Sequence, residues 1–238
     1  MSATTMTMQT LTFYRTTIGK KVLMALSGIV LVGFVVGHLI GNLQLYAGPE
    51  VINAYAAFLH SKPALLWAVR LVLLGSVVVH IVTAVQLATL KGSARREEYR
   101  KRQYKRTNYA ARTMYWSGPI LLVYIIYHLL HLTLGYSPND TFVEGDVYNN
   151  VVRGFQNSVV SVVYIIGNLA LAFHLYHGVW SLLQTLGLRH PRYDRWAHSA
   201  ARTLGLLVAI GNLSFPIAVM TDMVTPQAST IPANEAEK

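Results

Sequence analysis

The sequence lacks cysteine altogether and is poor in charged residues. None of its 238 residues is cysteine, and only 13% are Asp, Glu, Lys or Arg. Without cysteine the chain cannot supply thiolate ligands to an iron–sulfur cluster, attach a c-type haem covalently or form a disulfide. Its 53% hydrophobic composition and its mean hydropathy of +0.38 exclude an ordinary soluble domain. The composition therefore predicts an all-α integral membrane protein.

What the sequence does contain is five long apolar stretches. About twenty consecutive apolar residues are needed for a helix to cross the hydrocarbon core of a bilayer, and each stretch supplies that length. We therefore predict one transmembrane domain over residues 1–223. Residues 224–238 lack an apolar period and are predicted to form a disordered tail. The five predicted transmembrane helices cover about residues 22–46, 64–90, 114–135, 158–187 and 203–223.

The basic residues are distributed unevenly among the segments between these stretches. Nine Lys or Arg lie between residues 91 and 112 and four Arg lie in 188–202, whereas 46–63 and 136–157 contain one basic residue each. Short loops rich in Lys and Arg stay on the cytoplasmic side of the membrane. This asymmetry predicts an N-terminus inside and a C-terminus outside.

The net charge of +10 is thus largely a signal of membrane topology, and it does not imply binding to nucleic acid. The basic run over residues 95–102 could attract anionic lipid or an acidic protein surface. The favoured interpretation is a solvated loop whose only role is to orient the chain.

Four of the five apolar stretches carry a histidine at nearly the same distance from their beginning: His38, His80, His128 and His174. With a rise of about 1.5 Å per residue, each lies about 25 Å from the start of its helix. Because successive helices alternate in direction, His38 and His128 share one height towards the outside. His80 and His174 share another towards the inside, roughly 10 Å away.

An imidazole inside a bilayer needs a partner, and two histidine pairs at two heights suggest two partners. Two imidazoles from facing helices fill both axial positions of a haem iron, which favours electron transfer over oxygen binding. Helical bundles build such sites in their interior. We therefore predict two stacked haems within a bundle of four of the five helices. The alternative is four unrelated histidines in polar contacts between helices.

Three further residues are candidates for contacts around these sites. His131 and His177 each follow a candidate ligand by three residues and share roughly its helical face, so each could meet a haem propionate, a quinone or water. Arg70 is a costly charge within the membrane that could contact a haem propionate or snorkel to the interface. The remaining histidines lie in or beside loops and are interpreted as surface residues: His60, His190 and His198.

Short motifs around the four histidines resemble a known family. The motifs are Phe34-Val35-Val36-Gly37-His38-Leu39, Val79-His80-Ile81, Tyr127-His128-Leu129 and Phe173-His174-Leu175-Tyr176-His177-Gly178-Val179-Trp180-Ser181. Through these motifs the chain resembles, over residues 13–222, the single-polypeptide, five-helix dihaem cytochrome b membrane anchor of succinate:quinone oxidoreductases and quinol:fumarate reductases.

The resemblance implies which histidines bind haem b. It assigns His38 with His128 to an outer, distal haem, and His80 with His174 to an inner, proximal haem. In the family the ligand is followed four residues later by glycine, which selects His174 over His177, and the same comparison selects His128 over His131. One departure is Ala84, where relatives can have glycine beside the haem.

The resemblance also implies a function. The chain would anchor a flavoprotein subunit and an iron–sulfur subunit on the cytoplasmic side of a bacterial or archaeal membrane. It would pass electrons between the iron–sulfur subunit and a membrane quinone, menaquinone or ubiquinone, and the complex could form higher oligomers. The quinone site and the physiological direction stay open.

Two alternative functions are weighed against this one. The dihaem cytochrome b subunit of another respiratory enzyme, such as a nitrate reductase or formate dehydrogenase, is less consistent with one ligand on each of four successive helices. A transporter that relays protons through histidines would need acidic partners within the membrane, and the interiors of the predicted helices contain none.

Overall fold

The computed structural model describes residues 13–93, 109–136, 142–188 and 190–229, and every element in these ranges is helical. The elements, in chain order, are α1 (Thr17–Asn42), a 3₁₀ helix (Leu43–Ala47), α2 (Pro49–His60), α3 (Pro63–Ser93), α4 (Tyr109–Leu132), α5 (Val147–Gln156), α6 (Ser158–Thr185) and α7 (Asp194–Met220).

Five of these helices are long and apolar enough to cross a membrane, namely α1, α3, α4, α6 and α7. The prediction of five candidate spans is therefore confirmed for the described residues. The last helix differs most from its expected range, because it begins at Asp194 rather than near 203 and so includes Arg195, His198 and Arg202. The basic run over 95–102 lies outside the described residues.

Two of the long helices, α1 and α6, start where side chains can satisfy the first free N–H groups. The hydroxyl of Thr16 accepts a hydrogen bond from Gly19 N at the start of α1. The side chain of Asn157 accepts from Val159 N and Val160 N at the start of α6, and its extended backbone separates α5 from α6. Caps of this kind typically contribute about 1 kcal/mol each.

The helices pack in two layers. In the first layer α1 packs along α3, and in the second layer α4 packs along α6, with α7 on the other side of α6. The layers approach each other most closely where α1 passes α6. Within the described residues, α1 and α4 do not pack extensively against each other, and neither do α3 and α6. The helix pairs that carry matching histidines therefore face each other across a space between the layers.

One end of the bundle is covered by a cap formed by residues 43–60, α5 and residues 224–229. The chain enters α2 through Gly48, whose φ of 98° favours glycine because a side chain would be strained there. The best-buried apolar cluster joins this cap to the ends of α6 and α7 and comprises Leu45, Ile52, Tyr148, Val152, Phe155, Val160, Tyr164, Phe215 and Val219. Neither α2 nor α5 is anticipated by the sequence analysis, since both are too short to cross a membrane.

The first residues of the predicted disordered tail are part of the cap. The hydroxyl of Tyr148 donates to Thr225 O at 3.1 Å, and the side-chain oxygen of Asn149 accepts from Gln227 N at 3.0 Å. These residues are held by polar contacts with the cap. A segment can make such contacts even though its sequence lacks an apolar period. Residues 230–238 lie outside the described residues.

Asp146 holds the cap together through its buried carboxylate. Its oxygens accept hydrogen bonds from Asn53 Nδ2 at 3.2 Å, from Asn149 N at 3.3 Å and from Asn149 Nδ2 at 2.8 Å. Burial of the carboxyl by itself raises its pKa, but the hydrogen bonds from Asn149, Ser229 and Asn53 lower the pKa more, so that it lies below its ordinary value.

We expect the cap to lose stability in acid through this carboxylate. Because the pKa of Asp146 is lower in the folded than in the unfolded protein, the ionised group stabilises the cap above the unfolded pKa of about 3.9. That stabilisation is lost as the pH falls through the lower, folded pKa. Proteolysis at the cap should therefore be unchanged between about pH 7 and pH 5 and accelerate only below about pH 4.

The matched control for this prediction is Glu144, an exposed carboxylate in the same loop. Asp146→Asn should loosen the cap at neutral pH, whereas Glu144→Gln should leave both the stability and its pH profile as in the unaltered chain. Equal effects of the two substitutions would show that the buried carboxylate has no special role.

Candidate functional site

The four candidate ligand histidines form two pairs across the space between the layers. His38 on α1 faces His128 on α4, with ring centres 5.8 Å apart and ring planes at 85°. His80 on α3 faces His174 on α6, with ring centres 6.1 Å apart and planes at 57°. The structure therefore brings together the same partners that the depth argument and the family resemblance indicate.

These distances fit a metal ion between the two rings of each pair. A metal bound to an imidazole lies about 2.0 Å from the nitrogen, so two imidazoles on opposite sides of one metal have ring centres about 6 Å apart. In the part of the chain that the structure describes, no three His, Asp or Glu side chains form a metal-binding group. Each site thus offers two protein ligands, as a haem iron with two axial imidazoles requires.

The surroundings of the pairs leave room for a flat macrocycle. No atom lies within 4 Å of the position that a Cβ would occupy at Gly37, Gly118 or Gly178. Gly178 is one helical turn beyond His174 and shares its face. His38 is exposed, and His80, His128 and His174 are only partly buried among protein atoms. The residues present therefore fit two haems held between the layers.

Two serines hold the imidazoles of the His80–His174 pair. Ser27 Oγ on α1 lies 3.3 Å from His80 Nδ1, and Ser117 Oγ on α4 lies 3.3 Å from His174 Nδ1. Ser27 donates its single hydroxyl hydrogen to Leu23 O at 2.9 Å, so its oxygen is available to accept Nδ1–H. This leaves Nε2 as the nitrogen with a free lone pair, the usual arrangement when a histidine binds a metal.

A tyrosine takes the equivalent place beside the other pair. Tyr164 Oη on α6 lies 3.3 Å from His128 Nδ1 and 3.0 Å from His131 Nδ1. The hydroxyl groups of Ser27, Ser117 and Tyr164 thus each contact a histidine on the neighbouring helix of the same layer. The imidazoles are therefore supported from within their layer while they face the opposite one.

The serine contacts also fix the heights of the two pairs. Ser27 precedes His38 by eleven residues on α1, and Ser117 precedes His128 by eleven on α4. Ser27 lies level with His80, and Ser117 lies level with His174. The His38–His128 pair is therefore about 16 Å from the His80–His174 pair along the helices. The predicted 10 Å is too short, since it assumed that the helices overlap over about 27 residues, and the Ser27–His80 contact shows a shorter overlap.

The sequence analysis does not identify Ser117 or Tyr164. A signal for the serines is present in retrospect. Ser27-Gly28 and Ser117-Gly118 each precede a candidate ligand by the same number of residues on two helices that run in the same direction. No comparable pattern marks Tyr164.

The structure places His131 in the protein interior. Its side chain is 2% exposed, its ring stacks on Tyr127 with centres 5.8 Å apart, and its Nδ1 bonds to Tyr164. A Cβ on Gly154 would lie 2.7 Å from His131 Cε1, so glycine at this position makes room for the ring. The described contacts of His131 are thus with protein groups of α5 and α6 and with its own helix.

His177 and Arg70 have different surroundings. The Nδ1 atom of His177 is buried without a hydrogen-bond partner, and its ring lies 6.4 Å from Trp180, which stacks on His198 at 4.5 Å. His198 lies in α7 and is half-buried. Its interpretation as a surface residue in a loop is therefore wrong. Arg70 is exposed on α3, with its guanidinium 5.1 Å from the ring centre of Trp67.

A cavity of about 330 Å³ opens between α1 and α6 at the end opposite the cap. Its polar lining offers an ammonium, hydroxyl groups and an amide, all able to donate hydrogen bonds to carbonyl or carboxylate oxygens. Ser181 lies two helical turns beyond His174, so the cavity is on the far side of the His80–His174 pair from the cap. The lining residues are Ile18, Lys21, Met24, Ser181, Gln184 and Thr185.

Among proteins of known function, the chain is similar to the succinate dehydrogenase cytochrome b558 subunit of Bacillus subtilis (strain 168). The two are 26% identical over 178 residues, which cover 72% of this chain and 81% of that protein. No protein-family model and no solved structure matches the chain.

Proposed function

We propose that this chain is the membrane-anchor and electron-transfer subunit of a succinate dehydrogenase or fumarate reductase complex. The observation that carries the proposal is the pair of facing imidazoles repeated at two heights, with ring centres 5.8 and 6.1 Å apart. The likeness to a cytochrome b558 subunit of succinate dehydrogenase supports it. The chain would connect the iron–sulfur subunit to a membrane quinone, menaquinone or ubiquinone.

The proposed cofactors are two haems b, each of which supplies a one-electron redox centre when bound. His38 and His128 would hold one haem, and His80 and His174 the other, through Nε2 in the cases where a hydroxyl engages Nδ1. Because two imidazoles would hold each haem iron, neither site would leave a position on the metal for a substrate. The apolar walls of the surrounding helices would keep water from the porphyrins.

We also propose a sidedness for the chain. Arg192, Arg195 and Arg202 lie just before or within the first turns of α7, at the end opposite the cap. Because short segments rich in Lys and Arg stay on the cytoplasmic side, that end would lie in the cytoplasm of a bacterium or archaeon and the cap outside. The flavoprotein and iron–sulfur subunits would then bind at the cytoplasmic end, nearest the His80–His174 pair. The polar cavity at that end is one place where a quinone headgroup or haem carboxylates could be bound.

The haem content of the purified protein tests the proposal. We expect a reduced-minus-oxidised spectrum of the b type and about two haems per chain by pyridine haemochrome assay, since each histidine pair holds one iron. A folded preparation without haem would refute the proposed function. A preparation with one haem would refute one of the two sites.

A further inference from the structure

Tyr164 lies between two histidines and has only one hydrogen to give. His128 Nδ1 is 3.3 Å and His131 Nδ1 is 3.0 Å from its oxygen. A phenol donates one hydrogen bond and can accept another. When the tyrosine hydrogen is used in one of these two contacts, one imidazole accepts it while the other donates its own Nδ1–H to the tyrosine oxygen.

The assignment follows from what His128 needs. A histidine that binds a metal through Nε2 carries its hydrogen on Nδ1 and donates it to a neighbouring acceptor. His128 is then the donor to Tyr164 Oη, and His131 Nδ1, at the shorter distance, accepts the tyrosine hydrogen. His131 is therefore neutral, with its own hydrogen on Nε2.

We propose that Tyr164 and His131 are positioning residues for His128, acting as a two-step hydrogen-bond relay that keeps Nε2 of His128 free for the haem iron. This inference rests on the proposed function and deepens it, since it assigns a role to the second histidine of α4. The relay differs from the support of the His80–His174 pair, where serine hydroxyls end at backbone carbonyls of their own helices.

Packing holds the relay in place. Phe155 meets the Tyr164 ring edge-to-face at 4.8 Å, and Tyr127 stacks on His131. The His131 ring lies directly against the backbone of Gly154, since a Cβ added there would stand 2.7 Å from His131 Cε1. Within the described residues, the hydroxyl of Tyr164 contacts the Nδ1 atoms of His128 and His131, and because His128 is the donor its hydrogen is directed to His131.

The relay should make His128 a stronger electron donor. An acceptor on Nδ1–H raises the basicity of the ligand, which stabilises the oxidised metal. Removal of the relay should therefore shift the haem of the His38–His128 pair towards the reduced form. The haem of the His80–His174 pair should not respond, because the Nδ1 atoms of these two histidines contact the hydroxyl groups of Ser27 and Ser117.

The test is a redox titration of both haems in Tyr164→Phe, His131→Leu and His131→Asn. We expect Tyr164→Phe, which removes the acceptor of His128 Nδ1–H, to lower the ratio of oxidised to reduced haem in the His38–His128 site about tenfold at a fixed potential, equivalent to about 59 mV. His131→Leu keeps the tyrosine oxygen and should lower the ratio in the same direction by a smaller factor. His131→Asn should restore most of this change, since its amide oxygen can stand near the position of Nδ1 and accept the tyrosine hydrogen.

The controls separate a relay from mere packing. Leucine and asparagine are similar in size, so equal shifts in His131→Leu and His131→Asn would overturn the proposal. No shift in His131→Leu, a shift confined to the other haem, or loss of both haems would overturn it as well. An unaltered protein without haem would instead refute the proposed function, which keeps the two failures distinguishable.

Discussion

His174→Ala is expected to leave a protein that binds about one haem instead of two. The substitution removes one axial ligand of the His80–His174 site, and Ser117 beside it supplies only a hydroxyl group. Loss of a hydrogen-bonding partner of a ligand typically costs about 10–100-fold in metal affinity, and loss of the ligand itself should cost more. Pyridine haemochrome assay and low-temperature spectra of the two b-type bands would measure the loss.

The matched control is His177→Ala, one turn further along the same helix. His177 has no hydrogen-bond partner for Nδ1 among the described residues, and its ring lies near Trp180. We expect this variant to retain both haems, and His38→Ala to lose the other haem. If His177→Ala lost the haem while His174→Ala kept it, the ligand on α6 would have been misidentified, although the two-layer arrangement would stand.

Gly167→Ala is expected to disrupt both sites at once. Gly167 on α6 faces the ring of Tyr124 on α4 so closely that an added Cβ would overlap it. The ring cannot move aside, because Asn168 Nδ2 donates to its hydroxyl at 3.2 Å and Tyr164 packs against it edge-to-face at 5.4 Å. The two helices of the second layer would have to separate, at a cost of about 3 kcal/mol or more.

Thermal unfolding and haem content would measure this effect. Since α4 carries His128 and α6 carries His174, separation of the layer misplaces one ligand of each pair, and we expect a lower Tm together with loss of both haems. Gly75→Ala on α3 is the control, because no atom lies within 4 Å of its Cβ position. A Gly167→Ala protein with an unaltered Tm and two haems would contradict the close packing of α4 on α6.

Much of this architecture is predictable from sequence because a membrane imposes strong and simple rules. The length of apolar runs fixes the number of spans, and the alternation of helix direction groups His38 with His128 and His80 with His174. The partners of these histidines are harder to foresee. Tyr164 reaches His128 from another helix, and the sequence contains no local pattern that records which faces of α4 and α6 meet.

The cap illustrates a second limit of sequence reasoning. Its two short helices lie outside the apolar runs, and their positions depend on a few polar contacts such as those of Asp146. The separation between the two histidine pairs is a third example. It depends on the register between antiparallel helices, which the Ser27–His80 contact shows directly. In the sequence, charged residues at the helix ends mark this register only approximately.

The division of ligands between layers has a consequence for assembly. Each proposed iron takes one imidazole from the first layer and one from the second, so neither helical hairpin can hold a porphyrin alone. Haem binding and the docking of the two hairpins are then linked equilibria, because a haem that binds only the docked hairpins stabilises the docked state. The prosthetic groups would serve as cross-links of the tertiary structure as well as electron carriers, and a chain made without them would have its two halves joined mainly through α1, α6 and the cap.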